Sequence, residues 1–161
     1  FAAAGIYLLQ LSLRALPDPP DDLRGELYGN FVCLYQAWGK PDKLAPWAEK
    51  LRDALAREIA AVTAKIDKSP KRAKYYFDRA KLHVRAGQFK EAHDDYARGL
   101  VIDPTDHWPW HYDGCLLAYL GEESAYREHC AAMFKRFGGS ADGHVLDCTV
   151  KTCSLIGNDS A

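Results

Sequence analysis

Residues 86–121 read AGQFKEAHDDYARGLVIDPTDHWPWHYDGCLLAYLG, and this stretch decides the fold class. Its apolar residues recur at i, i+3, i+4 and i+7, which is the spacing of amphipathic helices. Gly87, Pro104 and Gly121 interrupt the pattern, and residues of these types end helices or open turns. The stretch therefore predicts helices with short connections, and short connections make successive helices antiparallel neighbours.

The pattern repeats at a step of 34 residues. Gly87 and Gly121 are separated by this step, as are Tyr76 and Trp110. The same step relates Ala80 to Gly114, Leu82 to Leu116 and Tyr96 to Cys130, and Pro70, Pro104 and Gly138 continue it. A helix–turn–helix period of this length is the signature of tetratricopeptide repeats, which the sequence resembles.

An earlier unit shows the same pattern at a step of 48 residues. Its residues Tyr28, Phe31, Val32, Tyr35 and Gly39 take the places of Tyr76, Arg79, Ala80, His83 and Gly87. The 14 additional residues fall between Asp42 and Ile66 and make about four helical turns, which keeps the apolar face nearly in phase. The sequence therefore predicts one overlong second helix rather than a domain boundary, with Pro46 in or near its first turn.

The predicted fold is an all-α, right-handed α-solenoid of antiparallel helix pairs. About eight helices are expected, near 2–16, 22–38, 42–66, 72–86, 89–102, 107–120, 123–137 and 141–156. They form a single domain over residues 1–161, in which 22–66 is a divergent repeat, 73–106 and 107–139 are full repeats, 1–16 is a flanking helix and 141–156 is a cap. A cap is expected because the end of a repeat stack needs a polar outer face.

Four segments of the sequence are more specific than the general repeat pattern. LYQAWGKPDKLAPW at 34–47, the stretch at 86–121, KRFGG at 135–139 and KTC at 151–153 resemble the repeat region after the kinase domain of planctomycete-type serine/threonine protein kinases and related multidomain proteins. The sequence has no glycine-rich loop with a strand lysine, no His-Arg-Asp and no Asp-Phe-Gly. The resemblance implies a non-catalytic part of a larger bacterial signalling protein, whose chemistry lies elsewhere.

Three residues depart from the repeat consensus. Arg79 replaces the usual Leu, Glu123 the usual aromatic residue and Tyr126 the usual Ala. We expect the last full unit to pack differently from the consensus.

Composition excludes several classes of protein. The chain is 48% hydrophobic and 27% charged, which is typical of folded proteins, and its net charge of −1 offers no footprint for nucleic acid or an anionic membrane. Phe1–Leu16 is apolar but shorter than a spanning helix and interrupted by polar residues, so an amphipathic helix is favoured over a signal or membrane segment.

The cysteines indicate a reducing compartment. Five of them are an odd number and too few for a disulfide scaffold, so a cytoplasmic protein is predicted. Cys148 and Cys153 are five apart, which is unfavourable for a disulfide between them on one helix. Cys130 takes the position of Tyr96 and is predicted to be a small buried hydrophobic residue.

The resemblance implies a concave groove that holds an extended peptide and is lined by the first helix of each pair. By position, the groove residues are Lys74, Phe77, Lys81, Arg85, Trp108, His111, Tyr112 and Tyr119. Lys81 and Arg85 are four apart and share a helix face that could hold a carboxylate. The alternative is that this face is merely solvated and the aromatic residues pack between repeats. The asparagines of carboxylate-clamp repeats are not evident.

A metal site is the weaker interpretation of His107, His111, Asp113 and Cys115. Zinc needs three or four converging ligands, and Asp113 is predicted to face away from the histidines. Asp106 or His107 is better explained as a helix cap. We therefore predict no metal or other cofactor.

The predicted function is a non-catalytic protein-interaction module with a protein or peptide partner. One alternative is a structural spacer or self-association module whose exposed ends dimerise. A small metal-binding protein is the less favoured alternative.

Overall fold

The computed structural model describes residues 21–156, and this part of the chain is all-α, with seven helices and no β-strand. The helices are α1 (Asp21–Ala37), α2 (Pro41–Lys68), α3 (Ala73–Arg85), α4 (Phe89–Ile102), α5 (His107–Leu120), α6 (Glu123–Phe137) and α7 (Gly143–Cys153). They pack in sequential antiparallel pairs, which confirms the predicted fold class. The helix predicted over 2–16 lies outside the described residues.

The chain divides into two compact units, one ending at Ala61 and the other beginning at Val62. α2 nevertheless runs without a break from Pro41 to Lys68, so the prediction of one overlong second helix is correct. Pro46 lies inside this helix, in its second turn. That the whole chain is a single domain stays a prediction.

The core of the first unit is aromatic. Phe31 is fully buried and Tyr35 nearly so. The Phe31 ring stacks on Trp47 of α2, with ring centroids 4.1 Å apart and planes 14° from parallel. Leu27, Leu34 and Leu44 pack around this cluster. Burial of these large rings holds α1 against the first turns of α2.

The core of the second unit combines small and large residues. Ala80 of α3 and Ala92 of α4 are fully buried, and together they leave room for Tyr96 and Leu116. The small side chains let the helices approach closely while the large ones fill the space between them.

The three helix-ending glycines share one geometry. Gly39, Gly87 and Gly121 have φ values of 65°, 73° and 73°, a left-handed conformation that costs glycine little. After each glycine, the next backbone N–H donates to a carbonyl five residues back: Lys40 to Tyr35 at 3.1 Å, Gln88 to His83 at 2.9 Å and Glu122 to Leu117 at 3.1 Å. This is the Schellman ending of a helix, and it recurs at the steps predicted from the sequence.

A second hydrogen bond also recurs with the repeat. The Tyr76 hydroxyl donates to the Pro70 carbonyl at 3.1 Å, and the Trp110 indole Nε1 donates to the Pro104 carbonyl at 3.0 Å. Both members of each pair are shifted by 34 residues. The step of 34 therefore relates matching hydrogen bonds as well as matching residue types.

Aspartates begin two of the later helices. Asp106 accepts from the Trp108 N–H at 3.0 Å, as its predicted capping role requires. Asp142 accepts from the His144 N–H at 2.9 Å. This cap places the start of α7 at Gly143, two residues later than predicted, because an N-cap residue lies outside its helix.

α7 packs on both α5 and α6 at the end of the second unit. Tyr126 contributes a hydrogen bond to this contact, since its buried hydroxyl donates to the Thr152 carbonyl at 2.6 Å. The Thr152 methyl lies where a Cβ on residue 114 would clash, so Gly114 lets α7 approach α5.

None of the helices within residues 21–156 combines the length and the hydropathy of a membrane-spanning segment.

Candidate functional site

A cavity of about 490 Å³ opens between α3, α4 and α5. Its lining residues are Lys81, Val84, Arg85, Phe89, Tyr96, Tyr112, Cys115, Leu116 and Tyr119. Aliphatic and aromatic side chains form most of this surface. A concave, mostly apolar surface with a few convergent polar groups is the usual form of a binding site.

Two cations mark one side of the cavity. Lys81 and Arg85 lie one turn apart on α3, and both are exposed. They are the charged members of the lining, so an anionic group on a bound molecule would be attracted to this side. Their common face places both cations beside the apolar surface.

Aromatic rings continue the apolar surface along α5. Tyr119 is 72% exposed and its ring meets Phe89 edge-on at 4.8 Å. Tyr112 lies between Trp108, at 5.7 Å, and Tyr96, at 6.0 Å. These partners hold the tyrosines in place while leaving part of each ring open to a ligand. Such pre-positioned aromatic side chains are the common anchors of protein interfaces.

Two of the predicted groove residues on α3 lie outside the cavity lining. Lys74 forms an ion pair with Asp78 at 2.6 Å, about two turns before Lys81. The Phe77 ring packs on the core and over Gly99, so close that a Cβ there would lie 2.2 Å from Phe77 Cε1. Phe77 therefore contributes to the joint between α3 and α4.

On α5, Trp108 and His111 flank the lining without belonging to it. Trp108 is 38% exposed. His111 points toward α7, where its Nδ1 lies 2.7 Å from Thr152 Oγ1. Because that hydroxyl donates its own proton to the Cys148 carbonyl, His111 is the donor in this contact. Burial and then the neighbouring His107 lower the pKa of His111.

The histidine–cysteine cluster of the sequence is not assembled around a common point. Asp113 is buried and faces His93, whose Nδ1 is 2.7 Å away, and His129, whose Nδ1 is 3.4 Å away. The prediction that Asp113 faces away from the other cluster members is consistent with these partners. Among residues 21–156, no three His, Cys, Asp or Glu side chains are placed to hold a metal ion.

The predicted groove consisted only of residues on the first helix of each pair. The cavity lining also includes residues of α4, which is a second helix. Phe89 and Tyr96 line the cavity from that helix, and Leu116 lines it from the inner face of α5. Tyr96 is 2% exposed and Leu116 is 7% exposed, so the core itself forms the cavity floor. Apolar periodicity predicts which face of a helix is buried, but it cannot show where a core surface is left open.

The described residues form sequential antiparallel helix pairs whose helix-end geometry recurs along the chain, which defines an all-α helical repeat architecture. No protein-family model matches the sequence, and no curated protein matches it significantly. Among solved structures, the crystal structure of MamA aligns with 94% of this chain and 88% of its own chain, at a TM-score of 0.41 and 14% sequence identity. A similarity at this level carries no information about function.

Proposed function

We propose that this chain is a non-catalytic protein-interaction module that binds an extended peptide of a partner protein between α3, α4 and α5. The observation that carries the proposal is the apolar cavity of about 490 Å³ with Lys81 and Arg85 on one side. A side chain of the peptide would fill the cavity, and a carboxylate beside it would meet the two cations.

The energetics of such a site come from a few contacts. Tyr112 and Tyr119 are already held by other rings, so binding costs little ordering of the protein. Truncating one central aromatic anchor of an interface commonly costs about 2 kcal/mol or more of binding free energy. Charge-assisted hydrogen bonds from lysine and arginine add orientation and selectivity for an anionic group.

The test uses fluorescein-labelled peptides in which an aromatic or long aliphatic residue is flanked by acidic residues, read by fluorescence anisotropy. A matched set carries lysines in place of the acidic residues. We expect the acidic set to contain binders, Lys81→Glu to weaken them about tenfold or more, and Tyr119→Ala to weaken them similarly. Lys90→Glu makes the same charge change on the exposed face of α4 and is the control.

This experiment distinguishes a specific carboxylate-binding role of Lys81 and Arg85 from a merely solvated basic face. If Lys81→Glu and Lys90→Glu reduce binding equally, attraction is a property of the whole surface and the cavity is not the site. If no peptide of either set binds, the groove hypothesis fails.

The wider context is proposed from sequence resemblance alone. We propose that the chain belongs to a larger, cytoplasmic bacterial signalling protein, because its sequence resembles the repeat regions that follow the kinase domains of planctomycete-type serine/threonine protein kinases. Reading the complete coding frame in the source genome tests this directly. A frame that encodes no catalytic domain overturns it.

Self-association is the second candidate, favoured by apolar side chains near the end of the second unit. Val150 is 49% exposed, Leu155 50% and Phe134 55%. Light scattering during gel filtration should then show a dimer that Val150→Lys and Leu155→Lys convert to monomer. A wild-type monomer at high micromolar concentration excludes this role.

A further inference from the structure

Two cysteines on different helices lie side by side at the end of the second unit. Cys130 is in the middle of α6, and Cys153 is the last residue of α7. The Sγ atom of Cys153 is 3.7 Å from the carbonyl oxygen of Cys130. Since a carbonyl oxygen lies about 2.4 Å from its own Cα, this sulfur is within about 6 Å of the Cys130 Cα. The Cys153 thiol therefore lies beside the backbone of Cys130, within reach of that residue's own side chain.

The two thiols also interact with each other. Burial, followed by a hydrogen bond between the two thiols, raises the pKa of Cys153 to about 12. Both residues are only partly buried, so a small reagent can reach the pair. Their contact relates α6 to α7 and is distinct from the cavity between α3, α4 and α5.

The backbone around Cys153 is already fixed. The Tyr126 hydroxyl donates to the Thr152 carbonyl at 2.6 Å and accepts from the Leu155 N–H at 3.0 Å. Tyr126 and Cys130 are one turn apart on α6, so the hydroxyl holds the end of α7 next to the Cys130 side chain. The Tyr126 anchor therefore keeps the Cys153 backbone beside α6.

We propose that Cys130 and Cys153 are a dithiol pair that forms an intramolecular disulfide on reaction with a small-molecule disulfide, covalently fastening α7 to α6. In the first step, one cysteine thiolate attacks the reagent, forming a mixed disulfide and releasing one reagent thiol. The second cysteine then attacks the mixed disulfide, the Sγ–Sγ bond forms and the second reagent thiol leaves. The protein loses two protons and two electrons, which reduce the reagent to two thiols.

The other cysteines supply controls and a rival pairing. Cys33 is exposed on α1 of the first unit. Burial raises the pKa of Cys115, and its neighbour Cys148 raises it further. Cys115 and Cys148 therefore form the competing pair that the experiment must distinguish.

The experiment treats the full chain with excess oxidised glutathione at about pH 8.5 in a prolonged incubation, because the raised pKa of Cys153 leaves little of its thiol ionised at this pH. Free thiols are then alkylated, and intact mass and peptide mapping are read without reduction. We expect Cys130 and Cys153 to escape alkylation without carrying glutathione, and mapping to give one peptide pair linked through them, whose mass is two hydrogens below the sum of the two free peptides. The oxidised protein should melt several degrees higher than the reduced protein, because the bond restricts the unfolded chain.

Variants complete the test. Cys33→Ser should retain the disulfide and the shift in melting temperature, whereas Cys153→Ser should lose both. Circular dichroism of each reduced variant establishes that it folds, and the mapping of the wild-type chain does not depend on any variant. The proposal is wrong if Cys130 and Cys153 are both alkylated after oxidation, if they carry only glutathione, or if the bond joins Cys115 to Cys148.

Discussion

Arg79 binds Asp95 through two parallel hydrogen bonds of 2.7 Å, and this buried ion pair joins α3 to α4. The hydrogen bond to Asp95 raises the pKa of Arg79. Thirty-four residues further along, the same two positions hold Asp113 and His129, with Oδ2 and Nδ1 3.4 Å apart. The acidic partner has moved from the second helix of the pair to the first.

In the first repeat, the corresponding positions are Phe31 and Trp47. They lie 48 residues before Arg79 and Asp95. Their rings stack at 4.1 Å. The same pair of positions thus joins the two helices in each of the three repeats, as an aromatic stack, an ion pair and an acid–histidine contact. The contact is retained while its chemistry changes.

Removing Asp95 should be costly, because it leaves the Arg79 guanidinium, whose side chain is 15% exposed, without its carboxylate. We expect Asp95→Ala to lower the free energy of unfolding by about 3 kcal/mol, the usual consequence of breaking a buried ion pair at one end. Urea unfolding followed by circular dichroism measures the change.

The double variant Arg79→Leu/Asp95→Leu serves as the comparison. It restores the consensus residue at position 79 and removes both charges of this pair, so its stability should return to within about 1 kcal/mol of wild type. A single variant that loses less than the double variant would contradict this account.

The sequence predicted the helices and their repeat because these depend on local signals. Gly87, Gly121 and Pro104 mark helix ends, and apolar periodicity marks buried faces. The departure at Arg79 was visible too, but its partner was not, since Asp95 is 16 residues away on another helix. Pairings across helices depend on the relative rotation of the two helices, which periodicity does not fix.

The candidate site was predictable in part for the same reason. Helical spacing placed Lys81 and Arg85 on a common face, and the structure places both at the cavity. Helical spacing could not show that Phe77 packs over Gly99, because the missing side chain at that glycine decides the direction of the ring. His111 likewise faces α7, through a partner 41 residues away.

Gly99 should be intolerant of a side chain. A Cβ at this position would lie 2.2 Å from Phe77 Cε1, so Gly99→Ala must displace the ring. Overpacking outweighs the gain in helix propensity, and we expect a net loss of about 1–2 kcal/mol in unfolding free energy. Gly29→Ala, where the added Cβ meets nothing within 4 Å, should instead be neutral or stabilising.

A rescue experiment identifies the cause of the Gly99 effect. Phe77→Leu removes the clashing ring, so the Gly99→Ala substitution should cost less in that background, as a double-mutant cycle measures. Equal costs in both backgrounds would show that Phe77 is not the obstacle.

Stability should depend on pH through His93. Its hydrogen bond to buried Asp113 raises the pKa of His93 above the ordinary 6.5, so the folded state favours the charged ring. The stabilisation is fully present below 6.5 and is lost as the pH rises through the raised folded-state pKa. The stability difference between wild type and His93→Gln should therefore be largest near about pH 5.5 and smallest near about pH 8.5.

Taking that difference removes the opposing effect of His111. Its pKa is lowered in the folded state, so acid destabilises the protein through this residue. A difference curve that is flat with pH, or that grows toward alkaline pH, would contradict the role given to His93.

The end of α7 should depend on a single hydroxyl. Tyr126 is 2% exposed, and its hydroxyl binds the Thr152 carbonyl and the Leu155 N–H. Tyr126→Phe keeps the ring but leaves both backbone groups without this partner, which should cost about 1–3 kcal/mol. Hydrogen exchange should then accelerate at residues 152–156, with little change in α3. Tyr119→Phe, at a largely exposed ring, is the control, and equal exchange in both variants would show that the hydroxyl does not hold α7 in place.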